Sequence, residues 1–133
     1  MKTIGRFVYD SSTIATLAEN QNIPLTTTAT TNNCISNDGS SITINRAGIY
    51  EVLCDFTFVA TAASAIETQM YRNGNAVPGA HAIDTAATIG DYVSQGFNGI
   101  ITVPRNAPTA TLNFKAINAT SLRIANVIII KVA

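Results

Sequence analysis

The chain is 133 residues long, 47% hydrophobic and only 12% charged, with eight acids balancing eight bases for a formal net charge of zero. That length suits one domain with a core of its own and is short for two. Zero net charge with scattered Lys and Arg leaves no field to gather nucleic acid, and no stretch approaches the roughly eighteen apolar residues of a membrane-spanning helix.

The charge deficit carries the most information, because globular domains usually devote about a quarter of their residues to Asp, Glu, Lys and Arg. A surface with so few ions must be built from Thr, Ser, Asn and Ala, or be covered by another copy of the chain. A net charge near zero favours self-association.

In chain order, Thr3 to Tyr9 reads as a first strand of uncertain register. The segment from Met1 to Asp10 lacks the continuous apolar core of a secretory signal. If Met1 is the natural start, the chain is expected to fold in a cytoplasm. Ser12 to Asn20, through Ile14, Ala15, Leu17 and Ala18, is the one segment that suits a helical turn, and a strand edge or loop suits it equally. Pro24 breaks the loop that follows. Thr26 to Thr31 reads as extended, Asn32-Asn33 leads into Cys34-Ile35, and Asn37-Asp38-Gly39 is a turn. Ile42 and Ile44 alternate with Thr43 and Asn45 in a half-buried strand.

Arg46-Ala47-Gly48 connects tightly into the longest strand, Ile49 to Ala60. There Tyr50, Val52, Cys54, Phe56, Phe58 and Ala60 occupy every second position, so a period of two puts them on one face, taken as the core. Glu51, Leu53, Asp55, Thr57 and Val59 occupy the other face, a mixed surface suited to a neighbouring subunit. Ala65 to Arg72 is the next strand, with Ile66, Thr68, Met70 and Arg72 on one side. Asn73-Gly74 closes a hairpin, since both tolerate positive φ. Ala76 to Ile83 returns as an edge or bulged strand around Pro78-Gly79. Asp91 to Val103 is long, with Gly96 and Gly99 marking a bend or close approach. Pro104 to Pro108 is a loop, Thr109 to Ile117 alternates through Leu112 and Phe114, and Asn118 to Ser121 turns. Leu122 to Val132 ends in a near-continuous aliphatic run that suggests burial on both faces. About eight strands with turns every eight to twelve residues predict an antiparallel sandwich or barrel.

The run Ile42-Thr43-Ile44-Asn45-Arg46-Ala47-Gly48-Ile49-Tyr50-Glu51-Val52, the hairpin Tyr71 to Gly79 and the final strand Leu122 to Ala133 resemble, in order and spacing, the complement/tumour-necrosis-factor jelly-roll superfamily. They are most similar to its bacterial and phage branch, which includes C-terminal domains of spore-surface collagen-like glycoproteins and phage structural proteins. The resemblance covers the chain from about Ile42 onward. It implies an all-β, two-sheet antiparallel jelly roll over residues 1–133, ten strands, a tight homotrimer and a non-catalytic role in adhesion, recognition or coat structure. Residues 1–20 are either a docking arm or the first strand. The chain departs from the spore-surface members in having no Gly-X-Y stalk. A virion module assembled in a bacterial host cytoplasm, as capsid decoration or head or tail fibre, is the resulting expectation, with other virion proteins as partners.

The candidate core and trimer-interface residues are Tyr50, Val52, Phe56, Phe58, Ile128 and Ile130. The alternative role is a receptor- or carbohydrate-binding module at a fibre tip or a cell or spore surface. It would use the loops Asn73 to Gly79 and Pro104 to Pro108, with Asn73, Gly74 and Arg105 as candidate contacts to a host glycan or receptor. Tyr9, Tyr71 and Tyr92 are the aromatics that could serve it, since there is no Trp.

No catalytic, cofactor or metal site is expected. His81 is the only histidine and lies beside Pro78-Gly79, where an exposed or interface histidine is the simpler reading than a base for Cys34 or Cys54. The two cysteines read as small core hydrophobes. Glu51 and Asp55 lie on one strand face about 13 Å apart by strand rise, too far for paired-carboxylate glycoside cleavage. With Glu67 they are expected to be solvated or to meet Arg72 or Arg123 across a subunit boundary. Asn37-Asp38-Gly39 lacks the second acid that calcium would need, and the acceptor pattern Asn118-Ala119-Thr120 reads as a turn.

Overall fold

The computed structural model describes residues 3–31 and 34–133, and the expected lead-in at Asn32-Asn33 lies outside the described residues. The fold is an all-β jelly roll of two antiparallel sheets. Its strands are β1 (Ile4–Leu17), β2 (Gln21–Asn22), β3 (Thr27–Thr30), β4 (Ile35–Asn37), β5 (Ser41–Ile44), β6 (Gly48–Val59), β7 (Ala65–Arg72), β8 (Asn75–Thr85), β9 (Tyr92–Val103), β10 (Ala110–Ala116) and β11 (Thr120–Lys131). One sheet runs β3-β1-β11-β6-β9. The other runs β4-β5-β10-β7-β8, with β2 attached to β10.

The period-two reading of β6 holds through its length: Tyr50, Val52, Cys54, Phe56, Phe58 and Ala60 are all buried. Phe56 anchors the core, its ring 5.7 Å from Phe114 on the opposite sheet and 5.9 Å from Phe97 on β9. Tilted pairs at such spacings place ring edges on ring faces, the favoured aromatic geometry.

The helical option for Ser12–Asn20 is corrected: β1 runs on to Leu17, its register with β11 shifting between Asp10 and Ala15. Thr13, Ile14 and Thr16 supply extended propensity there, and pairing to β11 decides the outcome. Of the two readings for residues 1–20, Ile4–Leu17 form the first strand, hydrogen-bonded between β3 and β11. A segment in the middle of a sheet is no detachable arm.

The Arg46-Ala47-Gly48-Ile49-Tyr50 turn has a clear physical basis. Tyr50, wholly buried, donates its hydroxyl to the Arg46 carbonyl at 2.7 Å, tying the turn to the strand it opens. Gly48 has φ +153°, and a Cβ there would meet the Ala133 carbonyl oxygen at 2.7 Å. The Asn73-Gly74 hairpin has φ of 49° and 84°, the doubly positive pair of a type I′ turn. Opposite it, β8 is an edge strand whose register slips between Gln69 and Tyr71. The Gln69 amide spans the irregularity, donating to the Val77 and Ala80 carbonyls at 2.9 and 3.2 Å.

One polar bridge crosses the core. Thr68 on β7 donates to Gln95 Oε1 at 2.6 Å, and Gln95 Nε2, on β9 of the other sheet, donates to the Ile66 carbonyl at 2.7 Å. Thr68 and Gln95 are 0% and 2% exposed, so these groups have only each other and the chain as partners.

Candidate interaction surfaces

The two outward sheet faces differ in chemistry. On the six-stranded sheet the outward positions are mostly polar, Thr43, Thr111, Asn113, Lys115, Gln69 and Glu67, with Ile83 on β8 as an exposed exception, Asn113 bonded to Asn22 at 2.8 Å and Lys115 5.1 Å above the Tyr71 ring. The five-stranded sheet presents aliphatic side chains among polar ones. Strand register aligns Ile4, Ile130, Glu51 and Ile100 in one row across β1, β11, β6 and β9, and Arg6, Ile128, Leu53 and Asn98 in the next. Val8, Asn126, Asp55 and Gly96 form a third row, and Asp10, Ile124, Thr57 and Ser94 a fourth. Ile100 is 63% exposed, and Ile4 and Ile124 are 38% exposed each. Glu51, Arg6, Asp55 and Asp10 interrupt these rows, so the face is mixed, with its apolar side chains gathered at Ile4, Ile100, Ile128, Ile130 and Leu53; an exposed apolar patch is the usual mark of an interaction site.

This arrangement divides the residues expected to serve core and interface together. Tyr50, Val52, Phe56 and Phe58 are wholly buried within the chain and reach no partner. Ile128 and Ile130 point outward and are half-buried. The expected two-sided burial of β11 is therefore corrected: its inner side, through Ala125, Val127 and Ile129, is sealed, and its outer side is open in the single chain.

The ionic expectations are rearranged as well. Glu67 pairs with His81 at 2.6 Å on the polar sheet, and Arg123 pairs with Asp10 at 3.2 Å while also donating to the Ser11 carbonyl. Glu51 and Asp55 do stand on the outward face, and neither meets Arg72 or Arg123 within the chain. His81 and Cys54 lie on different sheets, His81 outward and Cys54 inward, so they form no nucleophile and base pair. Burial pushes the Cys54 thiol far above its ordinary titration range. No disulfide joins Cys34 and Cys54. Asp38 spends its carboxylate on the Ser41 and Ser40 amides, and these bonds, Ser41's first, hold its pKa below the ordinary value. Among the described residues no group of three His, Cys, Asp or Glu side chains could hold a metal ion. Asn118 turns its amide to the Ala65 carbonyl at 3.0 Å.

The candidate ligand loops meet at one end of the sandwich. Asn73 and Gly74 are exposed, and Asn73 Oδ1 accepts from the Thr111 amide at 2.9 Å. Asn75 to Gly79, expected as loop, belong to β8. A cleft of about 290 Å³ is lined by Arg72, Asn73, Asn75, Val77, Pro78 and Ile100. A second, of about 300 Å³, is lined by Gly48, Ile49, Thr102, Pro104, Arg105 and Lys131. Tyr71 lies under Lys115, Tyr9 donates to the Thr13 carbonyl, and Tyr92 is 67% exposed on the five-stranded sheet. None of the three lines either cleft. Sequence reasoning missed Arg72 and Lys131 as cleft residues, because only the folded topology puts strand ends so far apart in sequence beside one another.

No protein family is matched by the sequence, and none of the curated proteins is significantly similar to it. Solved structures do share the fold. An Eiger TNF from S. frugiperda superposes with a TM-score of 0.78 at 11% identity, covering 99% of this chain and 93% of that one. Murine APRIL gives 0.73 at 10% identity, covering 99% and 100%. The PRD1 vertex protein P5 gives 0.62 at 12% identity, covering 98% and 97%. At such identities the likeness establishes a TNF-like jelly roll, and fold alone does not carry function.

Proposed function

We propose that the chain is a non-catalytic virion module that works as a homotrimer, decorating a phage capsid or forming part of a head or tail fibre, and assembles in the host cytoplasm. The observation that carries this reading is the cluster of aliphatic side chains on the outer face of the five-stranded sheet, set against a more polar outer face on the other sheet. A chain with 12% charged residues has few ions with which to wet both faces. Burying that face against identical copies removes Ile4, Ile100, Ile124, Ile128 and Ile130 from water together. The resemblance to the jelly-roll superfamily implies three copies, and the likeness in fold to a phage vertex protein supports a structural place on a particle.

Glu51, Asp55 and Arg6 share the face. In the assembly they form charge pairs between subunits that set its register. Light scattering and native mass measurement on the purified chain test the oligomer, with three chain masses (14.0 kDa each) expected. Ile128→Lys should give a folded monomer. A monomeric parent at micromolar concentration would overturn the reading, and a trimer unaffected by Glu51→Arg would remove the role given to the charge pairs. Co-sedimentation with purified phage particles tests the setting.

A further inference from the structure

The chain is neutral overall and strongly polarised in space. At the end where β5 meets β6, β7 meets β8, β9 meets β10 and β11 finishes, the connections carry Arg46 and Arg105 and no Asp or Glu, Arg72 and Lys131 end their strands there, and the nearest acid along β6, Glu51, stands on the sheet face opposite Ile100. The loops at the opposite end carry Glu19 and Asp91 and no Lys or Arg.

Partnering sharpens the contrast. Each described cation elsewhere is engaged: Arg6 with Asn126, Lys115 over Tyr71, and Arg123 with Asp10. Among the described residues, no hydrogen bond or ion pair takes the side chains of Arg46, Arg72, Arg105 or Lys131. Two clefts of about 290 and 300 Å³ open at this end on neighbouring residues of β9, one lined by Arg72 and the other by Arg105 and Lys131.

We propose that this end binds an acidic polysaccharide, with Arg72 in one cleft and Arg105 and Lys131 in the other taking the carboxylates or phosphates of neighbouring sugars. Charge must do the holding, because neither cleft offers an aromatic ring. A neutral sugar would lack a stacking surface, and so would the bases of a single-stranded nucleic acid. The clefts instead pair each cationic site with hydrogen-bonding groups suited to hydroxyls, Asn73 and Asn75 in the first and Thr102 in the second. Guanidinium groups suit planar carboxylates and phosphates through paired N–H donors. The site is built from residues of one protomer, and Ile100 and Ile49 bring its rim onto the outer face of the five-stranded sheet that the trimer would bury.

The test is biolayer interferometry of the intact chain against immobilised polyuronate, a sugar-phosphate polymer, neutral dextran and poly(dT). Binding to the polyuronate or the sugar-phosphate polymer is expected, the stronger of the two identifying the anion. It should weaken about tenfold or more as NaCl rises from about 20 to about 300 mM. Arg72→Gln/Arg105→Gln/Lys131→Gln should abolish it and Lys115→Gln should retain it. Arg105→Gln alone, in an exposed loop, should weaken binding severalfold and guards against misfolding of the triple variant. No binding to either acidic glycan at low salt, equal binding to dextran, tighter binding to poly(dT), or full retention by the triple variant would overturn the proposal. Light scattering on the same samples separates the outcomes: a monomer that binds sinks the trimer reading alone, and a trimer that does not bind sinks this one alone.

Discussion

Replacing Thr68 with valine probes the one polar bridge through the core. Valine keeps the shape and removes the hydroxyl that donates to Gln95 Oε1 at 2.6 Å. Gln95 cannot turn to water, being 2% exposed, and its Nε2 stays bound to the Ile66 carbonyl at 2.7 Å. An acceptor is thus left buried without a donor, at a cost of about 1–3 kcal/mol. For a chain of this size that is a fall in Tm of about 4–12 °C. Gln95→Leu alone strands both the Thr68 hydroxyl and the Ile66 carbonyl, and should cost at least as much. The double variant removes donor and acceptor together, so its loss should fall short of the sum of the singles by about 1–2 kcal/mol. Thermal and urea unfolding at one fixed protein concentration measure all four proteins, since self-association adds to apparent stability. A Thr68→Val chain within about 0.3 kcal/mol of the parent, or strict additivity in the double variant, would refute the claim that these groups depend on one another across the sheets.

Tyr50→Phe removes the hydroxyl bond to the Arg46 carbonyl and should cost about 1 kcal/mol in the same unfolding assay. Gly48→Ala drives a Cβ against the Ala133 carbonyl oxygen, 2.7 Å away, and should lower stability by about 1–3 kcal/mol at a backbone conformation L side chains rarely adopt. Burial raises the pKa of Cys54 and of Tyr50, with Cys34 adding to the rise at Tyr50 and Arg46 opposing it. The folded chain therefore holds these protons longer than the unfolded one. Their contribution is complete below the ordinary values of 9.0 and 10.0 and is lost as pH rises through and beyond them. Urea midpoints should fall above about pH 9, and Cys54→Ala/Tyr50→Phe should flatten that fall. The native Cys54 thiol should resist iodoacetamide at neutral pH and react once the chain is unfolded in urea, as peptide mass mapping would record.

How much of this was legible beforehand differs from strand to strand. Strand β6 was readable because a buried face opposite a wetter one imposes strict alternation, and β7 with its Asn73-Gly74 turn because a type I′ hairpin demands residues that accept positive φ. Residues 12–17 were not readable. Their propensities are mixed, and the pairing of Ala15, Thr16 and Leu17 with Leu122, Ser121 and Thr120 of β11 makes them strand. The two-sided burial read from the aliphatic run of β11 was half right for the chain alone, since sequence cannot distinguish a face covered by its own sheet from one waiting for a neighbour.

The sequence by itself determined that alternating apolar residues would build a β sandwich, where its hairpins would turn, and that ions were too few to cover it. Only the tertiary structure decided which outward face carries the isoleucines of β1, β9 and β11 and that four cations without an ion pair among the described residues gather at one end. The reason is physical: alternation and turn propensity act between residues close along the chain, whereas strand order and register are set by the joint packing of two sheets. It is that order which brings Arg46, Arg72, Arg105 and Lys131, spread over more than half the chain, to the same end.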